Sequence, residues 1–138
     1  MYSFFDTNIL VYLFDTRYPD KQKRAHDLFA QETSQGIAVI STQVLQEFYT
    51  AVTSRLPEPL EKNIAQQAVI KFTQLPVRQI DTQIILSAMA RNRNDQISFW
   101  DALIIETALV AGARILWSED MQNGRDFDGL RIQDPFHT

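Results

Sequence analysis

The stretch Ser98-Phe-Trp-Asp-Ala-Leu-Ile-Ile-Glu-Thr-Ala-Leu-Val-Ala111, followed by Gly112, places an acid where an apolar side chain is expected. At about 100° per residue, Ile104, Ile105 and Ala108 fall within about 60° of Asp101, so a carboxylate sits near the middle of the most apolar arc of a helix. A buried, isolated carboxylate costs several kcal/mol or takes up a proton, so it needs a hydrogen-bond donor, a cation or a metal. A local explanation is also available. Ser98 can serve as the N-cap, with Asp101 three residues later closing a capping box and interacting favourably with the helix dipole.

Beyond Gly112, Arg114-Ile-Leu-Trp117 reads as a strand, followed at once by Ser118-Glu-Asp120, and Leu130-Arg-Ile132 as a last strand at the sheet edge. Before Ser98, Arg91-Asn-Arg-Asn-Asp95 is a polar connector, preceded by a helix that Asp81 caps and that runs to about Arg93. Leu75 to Ile80 fits a short strand and Glu58 to Gln74 a helix, after the break at Leu56-Pro-Glu-Pro59. In the helix from about Gln43 to Arg55, Val44, Leu45, Phe48, Ala51 and Val52 make one arc, with Glu47 on its edge. Ile37 to Ile40 is a β-branched strand, and Ser41 or Thr42 caps the helix after it. Lys21 to Thr33 is a modestly amphipathic helix ended by Gly36. The aromatic run Tyr2 to Phe5 is a buried strand that stops at Asp6, where a buried helix begins. Strands alternating with helical segments predict an α/β fold, a mainly parallel central sheet with helices on both faces, and one domain over residues 1–138.

Composition narrows the chemistry. With 138 residues and 45% hydrophobic content the chain can fill one core. It has no cysteine and two histidines, His26 and His137, both expected at the surface, so any metal must be held mainly by oxygen. The apolar N-terminal run is interrupted by Asp6 and lacks a basic start, which predicts a soluble, cytoplasmic protein without a membrane span. The net charge of -4 argues against a polyanionic partner, but setting aside the four acids considered next leaves the rest of the surface about neutral.

In a parallel sheet, functional groups collect beyond the carboxyl ends of the strands. Asp6 and Asp120 each follow a strand, and Glu47 and Asp101 lie early in helices that can point back to the same edge. Four carboxylates in one pocket repel one another unless they are protonated or bridged by cations. Hard divalent ions such as Mg2+ or Mn2+ suit such ligands, and the pattern points to phosphodiester hydrolysis. Each acid also has a structural explanation: Asp6 as a helix N-cap, Glu47 as a core-edge acid paired with an arginine, and Asp120 as a turn residue. Glu106, Glu119, Asp126 and Asp128 have no placement that distinguishes them from solvated acids.

Phe5-Asp-Thr-Asn-Ile-Leu10, Glu47 in its helix, Trp100-Asp-Ala-Leu-Ile104 and Trp117-Ser-Glu-Asp120 together resemble the successive motifs of the PIN-domain nucleases, in particular the VapC-type toxins of bacterial toxin-antitoxin pairs. The resemblance runs from Asp6 to about Gly124. It implies a PIN-like three-layer fold, Asp6 and Asp101 as metal ligands, Glu47 completing the acidic pocket, and Asp120 supporting metal or water there. Asn8 is implied as a brace for the carboxylates, and Ser118 stands where the family often has Thr. The implied activity is Mg2+- or Mn2+-dependent cutting of RNA that leaves 3'-hydroxyl and 5'-phosphate ends. The implied partners are a small antitoxin and a second copy of the chain. Arg91, Arg93, Lys21, Lys23 and Arg24 are candidates for phosphate contacts.

Two other readings compete. Haloacid-dehalogenase-like phosphatases open with Asp-x-Asp, and here the third position is Asn8, so their general acid is missing. A catalytically silent PIN-like module that binds RNA or protein is the alternative from a different class, although concentrated negative charge facing phosphates gains a pure binder nothing.

Overall fold

The computed structural model describes residues 1–137. Six strands form one sheet: β1 (Tyr2–Phe5), β2 (Ala38–Ser41), β3 (Val77–Arg78), β4 (Ala113–Trp117), β5 (Asp126–Phe127) and β6 (Leu130–Gln133), in the order β3-β2-β1-β4-β6-β5. Every neighbouring pair is parallel except β5 with β6. The central strand β1 has side chains buried on both faces, Ser3 and Phe5 on one and Phe4 on the other, as a sheet covered on both sides requires.

Six helices connect the strands: α1 (Thr7–Tyr12), α2 (Pro19–Ser34), α3 (Thr42–Ser54), α4 (Lys62–Phe72), α5 (Thr82–Asp95) and α6 (Phe99–Val110). The starts of α1, α3, α5 and α6 are written in short polar side chains. Asp6, Ser41, Asp81 and Ser98 each accept a hydrogen bond from a backbone N–H in the first turn that has no partner within the helix. At the end of α6, Gly112 takes φ +81°, a left-handed geometry that turns the chain into β4 and that a side chain would strain.

Aromatic edge-to-face contacts tie the layers together. Phe5 of β1 packs on Phe29 of α2 at 5.2 Å, Phe29 on Phe72 of α4 at 5.8 Å, Phe72 on Phe48 of α3 at 5.0 Å, and Phe48 on Phe14 at 5.6 Å. Such pairs add a little beyond area burial, about 0.5–1.5 kcal/mol each. α5 and α6 share a second cluster of Ile84, Ala88, Ala102 and Leu103. Among the described residues no helix is long and apolar enough to cross a membrane.

Several local expectations shift. The helix expected from Glu58 starts at Lys62, because Leu60 N–H is tied to Val52 O at 2.8 Å and Glu61 is held extended as the N-cap. The strand expected over 75–80 shortens to Val77–Arg78. The 91–95 connector is instead the last turn of α5, stabilised by an Arg91–Asp95 pair four residues apart and ended by Gln96 at φ 56°. The unforeseen strand β5 covers β6, which is therefore not at the edge.

Candidate functional site

The register of β1 with β4 creates the site. Phe5 is level with Trp117, and Asp6 N–H donates to Trp117 O at 3.0 Å, so the residues leaving the two strands emerge side by side. Asp6 Oδ1 accepts from the Thr7 N–H at 2.8 Å, and Asp6 Oδ2 accepts from Ser118 Oγ at 2.8 Å. Asp6 is thus both the N-cap of α1 and a carboxylate at the carboxyl edge of the sheet.

Asp6, Asn8, Glu47, Asp101 and Asp120 line one cleft of about 170 Å3. The Asn8 amide donates to Asp120 Oδ2. Glu47 Oε1 accepts from Thr7 Oγ1 at 2.7 Å. Ser98 Oγ accepts from the Asp101 N–H at 3.0 Å, so Asp101 occupies the cap turn while its carboxylate faces the cleft. The N-cap expected at Ser98 is formed, but no bond from the Ser98 N–H back to the Asp101 carboxylate closes a capping box among the described residues.

Burial pushes the Asp6 carboxyl up to about 6; the bonds from Ser118 and Thr7 oppose this, and the negative charges of Asp120 and Glu47 add to it. Asp101 is raised for similar reasons, chiefly burial, with the Ser98 hydroxyl opposing and Asp120 and Glu47 reinforcing. The charge of this cleft is incompletely compensated by the protein itself.

Sequence reasoning did not single out Thr7, Gln43, Arg55 and Trp100, which also line the cleft. Arg55 had one available signal, since it is the C-cap of α3, about two helical turns beyond Glu47. Thr7 and Gln43 carry no periodic signature. Of the basic side chains expected to meet phosphate, most are engaged. Arg91 pairs with Asp95, Glu106 and Asp128, Lys21 with Glu119, and Lys23 with Asp27, while Arg24 donates to Pro135 O. Glu106, Glu119 and Asp128 are accordingly not free surface acids. A larger cavity, of about 620 Å3, surrounds the Arg91 network, in which Arg91 is paired with Asp95, Glu106 and Asp128.

A mainly parallel sheet with an acidic cleft beyond its carboxyl edge, lined from four separate chain segments, defines an α/β protein with a carboxylate-rich cleft. The chain belongs to the PIN-domain family, whose model matches residues 3–126. Three solved structures share the fold. A toxin-antitoxin complex from Klebsiella pneumoniae aligns with TM-score 0.72 and 19% identity over 99% of both chains. Mycobacterium tuberculosis VapC20, described as a sarcin-ricin loop cleaving toxin, aligns with TM-score 0.66 and 20% identity over 86% of this chain and 89% of that one. VapBC2 from Rickettsia felis, solved with a DNA fragment from its promoter, aligns with TM-score 0.64 and 22% identity over 96% and 98%. Among curated proteins, no sequence is significantly similar to this chain.

The donor set suits the hard divalent ion that the family implies. The acidic groups offer only oxygen, and Gln43 Oε1 is buried at the cleft without a hydrogen-bond partner among the described residues. Among those residues no three acids or histidines are already arranged as a metal centre.

Proposed function

We propose that the chain is a Mg2+- or Mn2+-dependent endoribonuclease and the toxin of a toxin-antitoxin pair. The observation that carries this reading is the convergence of Asp6, Glu47, Asp101 and Asp120 on one cleft of a PIN-domain chain. The fold shared with VapC20 and with toxin-antitoxin complexes supports it.

Asp6, Asp101 and Asp120 would hold the ion, with Glu47 completing the negative pocket. When bound, a divalent ion supplies positive charge to a scissile phosphate and acidifies water, the chemistry that phosphodiester hydrolysis needs. The chain's own residues do the positioning. Ser118 and the Thr7 N–H fix both oxygens of Asp6, Asn8 orients Asp120, and the Thr7 hydroxyl holds one oxygen of Glu47. The bonds from Ser118 and Thr7 favour the charged form of Asp6. The partners that follow are an RNA substrate, a small antitoxin and a second copy of the chain.

The test is to incubate purified protein with structured RNAs in Mg2+, Mn2+ or chelator, beside Asp101→Asn. Metal-dependent cutting that the substitution abolishes, with the fold retained, is expected. Equal cutting by the variant refutes the role assigned to Asp101. A small protein encoded alongside and purified with the chain would mark it as a toxin; a monomer without such a partner would not.

A further inference from the structure

An acidic protein that acts on RNA needs somewhere to hold the backbone, and the internal pairing described above removes most of the expected candidates. Two arginines remain beside the acids. Arg55 lines the acidic cleft and also an adjoining cleft of about 240 Å3, which shares Asn8 with it and continues to Tyr18. Arg125 lines a third cleft, of about 160 Å3, which shares Asp101 and Asp120 with the acidic one. The two flanking clefts thus adjoin the acidic one through shared residues, Asn8 and Arg55 on one side and Asp101 and Asp120 on the other, and Arg125 also borders the cavity around Arg91.

Both arginines are exposed, and neither makes an ion pair among the described residues. The Arg125 guanidinium lies over the Phe127 ring at 4.3 Å, which orients it without neutralising it. Arg93 also makes no ion pair among the described residues but lines none of the three clefts. At the rim, next to Asp101, Trp100 leaves 61% of its surface in solvent, its ring braced edge-on by Phe99 at 5.1 Å. An exposed, braced indole beside a phosphate-cutting centre is costly for solubility but suited to stacking a base.

We propose that Arg55 and Arg125 grip the RNA backbone on the two sides of the acidic cleft, and that Trp100 stacks an unpaired base next to the cut. This inference rests on the nuclease reading and extends it to the substrate path. All three residues touch the RNA in this arrangement, and none takes part in bond breaking.

The test uses Asp101→Asn protein in Mg2+ and a short fluorescein-labelled single-stranded RNA, with binding followed by anisotropy across a salt series. Arg55→Gln and Arg125→Gln should each reduce the slope of log affinity against log salt by about 0.7, and the pair by about 1.4. Trp100→Ala should weaken binding roughly tenfold with the slope intact, and should abolish the quenching of tryptophan fluorescence by RNA. Arg93→Gln is the control and should match the parent. All are surface changes, so melting temperatures should stay at the parent value, which a structural role for the arginines would not allow. A double-arginine variant with the slope of the control, or quenching retained in Trp100→Ala, overturns the proposal. If these signatures appear in a protein whose wild type never cuts in Mg2+ or Mn2+, the RNA path stands and the nuclease reading falls. Cutting with unaltered slopes does the reverse, and absence of RNA binding overturns both.

Discussion

Ser118 Oγ donates a 2.8 Å hydrogen bond to Asp6 Oδ2 across 112 positions of sequence. Ser118 is fully buried, and its bond stabilises the charged form of a carboxylate that burial would otherwise protonate. Ser118→Ala should therefore push the Asp6 carboxyl higher still, moving the acidic limb of the pH-rate profile to higher pH. It should also cost about 1–2 kcal/mol of stability. Ser118→Thr, which keeps the hydroxyl, should restore the profile. An unshifted limb in the alanine variant would remove Ser118 from the site.

Asp6 itself sets a pH dependence of opposite sense to that of an ordinary paired carboxylate. Its folded value of about 6 lies above the ordinary 3.8 of an aspartate, so between these limits the native state binds more protons than the unfolded chain. Its contribution to stability is present below about pH 4 and is lost as pH rises through about 6. In chelator, Asp6→Asn should consequently stabilise the protein at pH 7.5 by about 1–3 kcal/mol and give little gain at pH 4. Urea unfolding at the two pH values measures this, and destabilisation at pH 7.5 contradicts it.

Arg91 is held in a structural network by three carboxylates in this fold. Its guanidinium joins the end of α5 to Glu106 of α6 and to Asp128 in the β5–β6 turn, with N–O distances of 2.6–2.8 Å. Burial works against its charge, and the carboxylate bonds outweigh that effect, raising its pKa. Arg91→Ala leaves the mostly buried Glu106 unpaired and should cost roughly 1–3 kcal/mol. Chemical denaturation reads this loss directly. The salt dependence of RNA binding should stay as in the parent, and a reduced slope would return Arg91 to the RNA path.

Phe48 links the acidic cleft to the core, since it follows Glu47 on α3 and is fully buried against Phe14 and Phe72. Phe48→Ala should cost about 3–5 kcal/mol by the cavity it opens. Thermal melting checks the loss; a change near zero would mean that the aromatic cluster can collapse around the gap.

Much of this arrangement could be read from the chain before any coordinates. The capping residues Asp6, Ser41, Asp81 and Ser98 announce their helices because a side-chain oxygen must satisfy N–H groups that the helix leaves open. Asp101 drew notice because it interrupts an apolar arc, and it does line the cleft with Asp6. What escaped notice depends on tertiary contacts. A two-residue strand such as β5 has no period, the start of α4 is set by a bond from Leu60 to Val52, and α5 runs on through a polar stretch that Arg91 anchors. Whether an arginine is free or already paired is likewise invisible in sequence, which is why Arg55 and Arg125 were passed over for Arg91 and Lys21.

The most direct measurement is Mn2+ binding followed by electron paramagnetic resonance, in which the signal of free Mn2+ falls as protein takes it up. Wild-type protein should deplete the signal and Mg2+ should restore it. The Asp6→Asn, Asp101→Asn double variant, with native circular dichroism, should leave it untouched. Equal depletion by wild type and double variant would contradict the claim that these acids converge to hold a divalent ion.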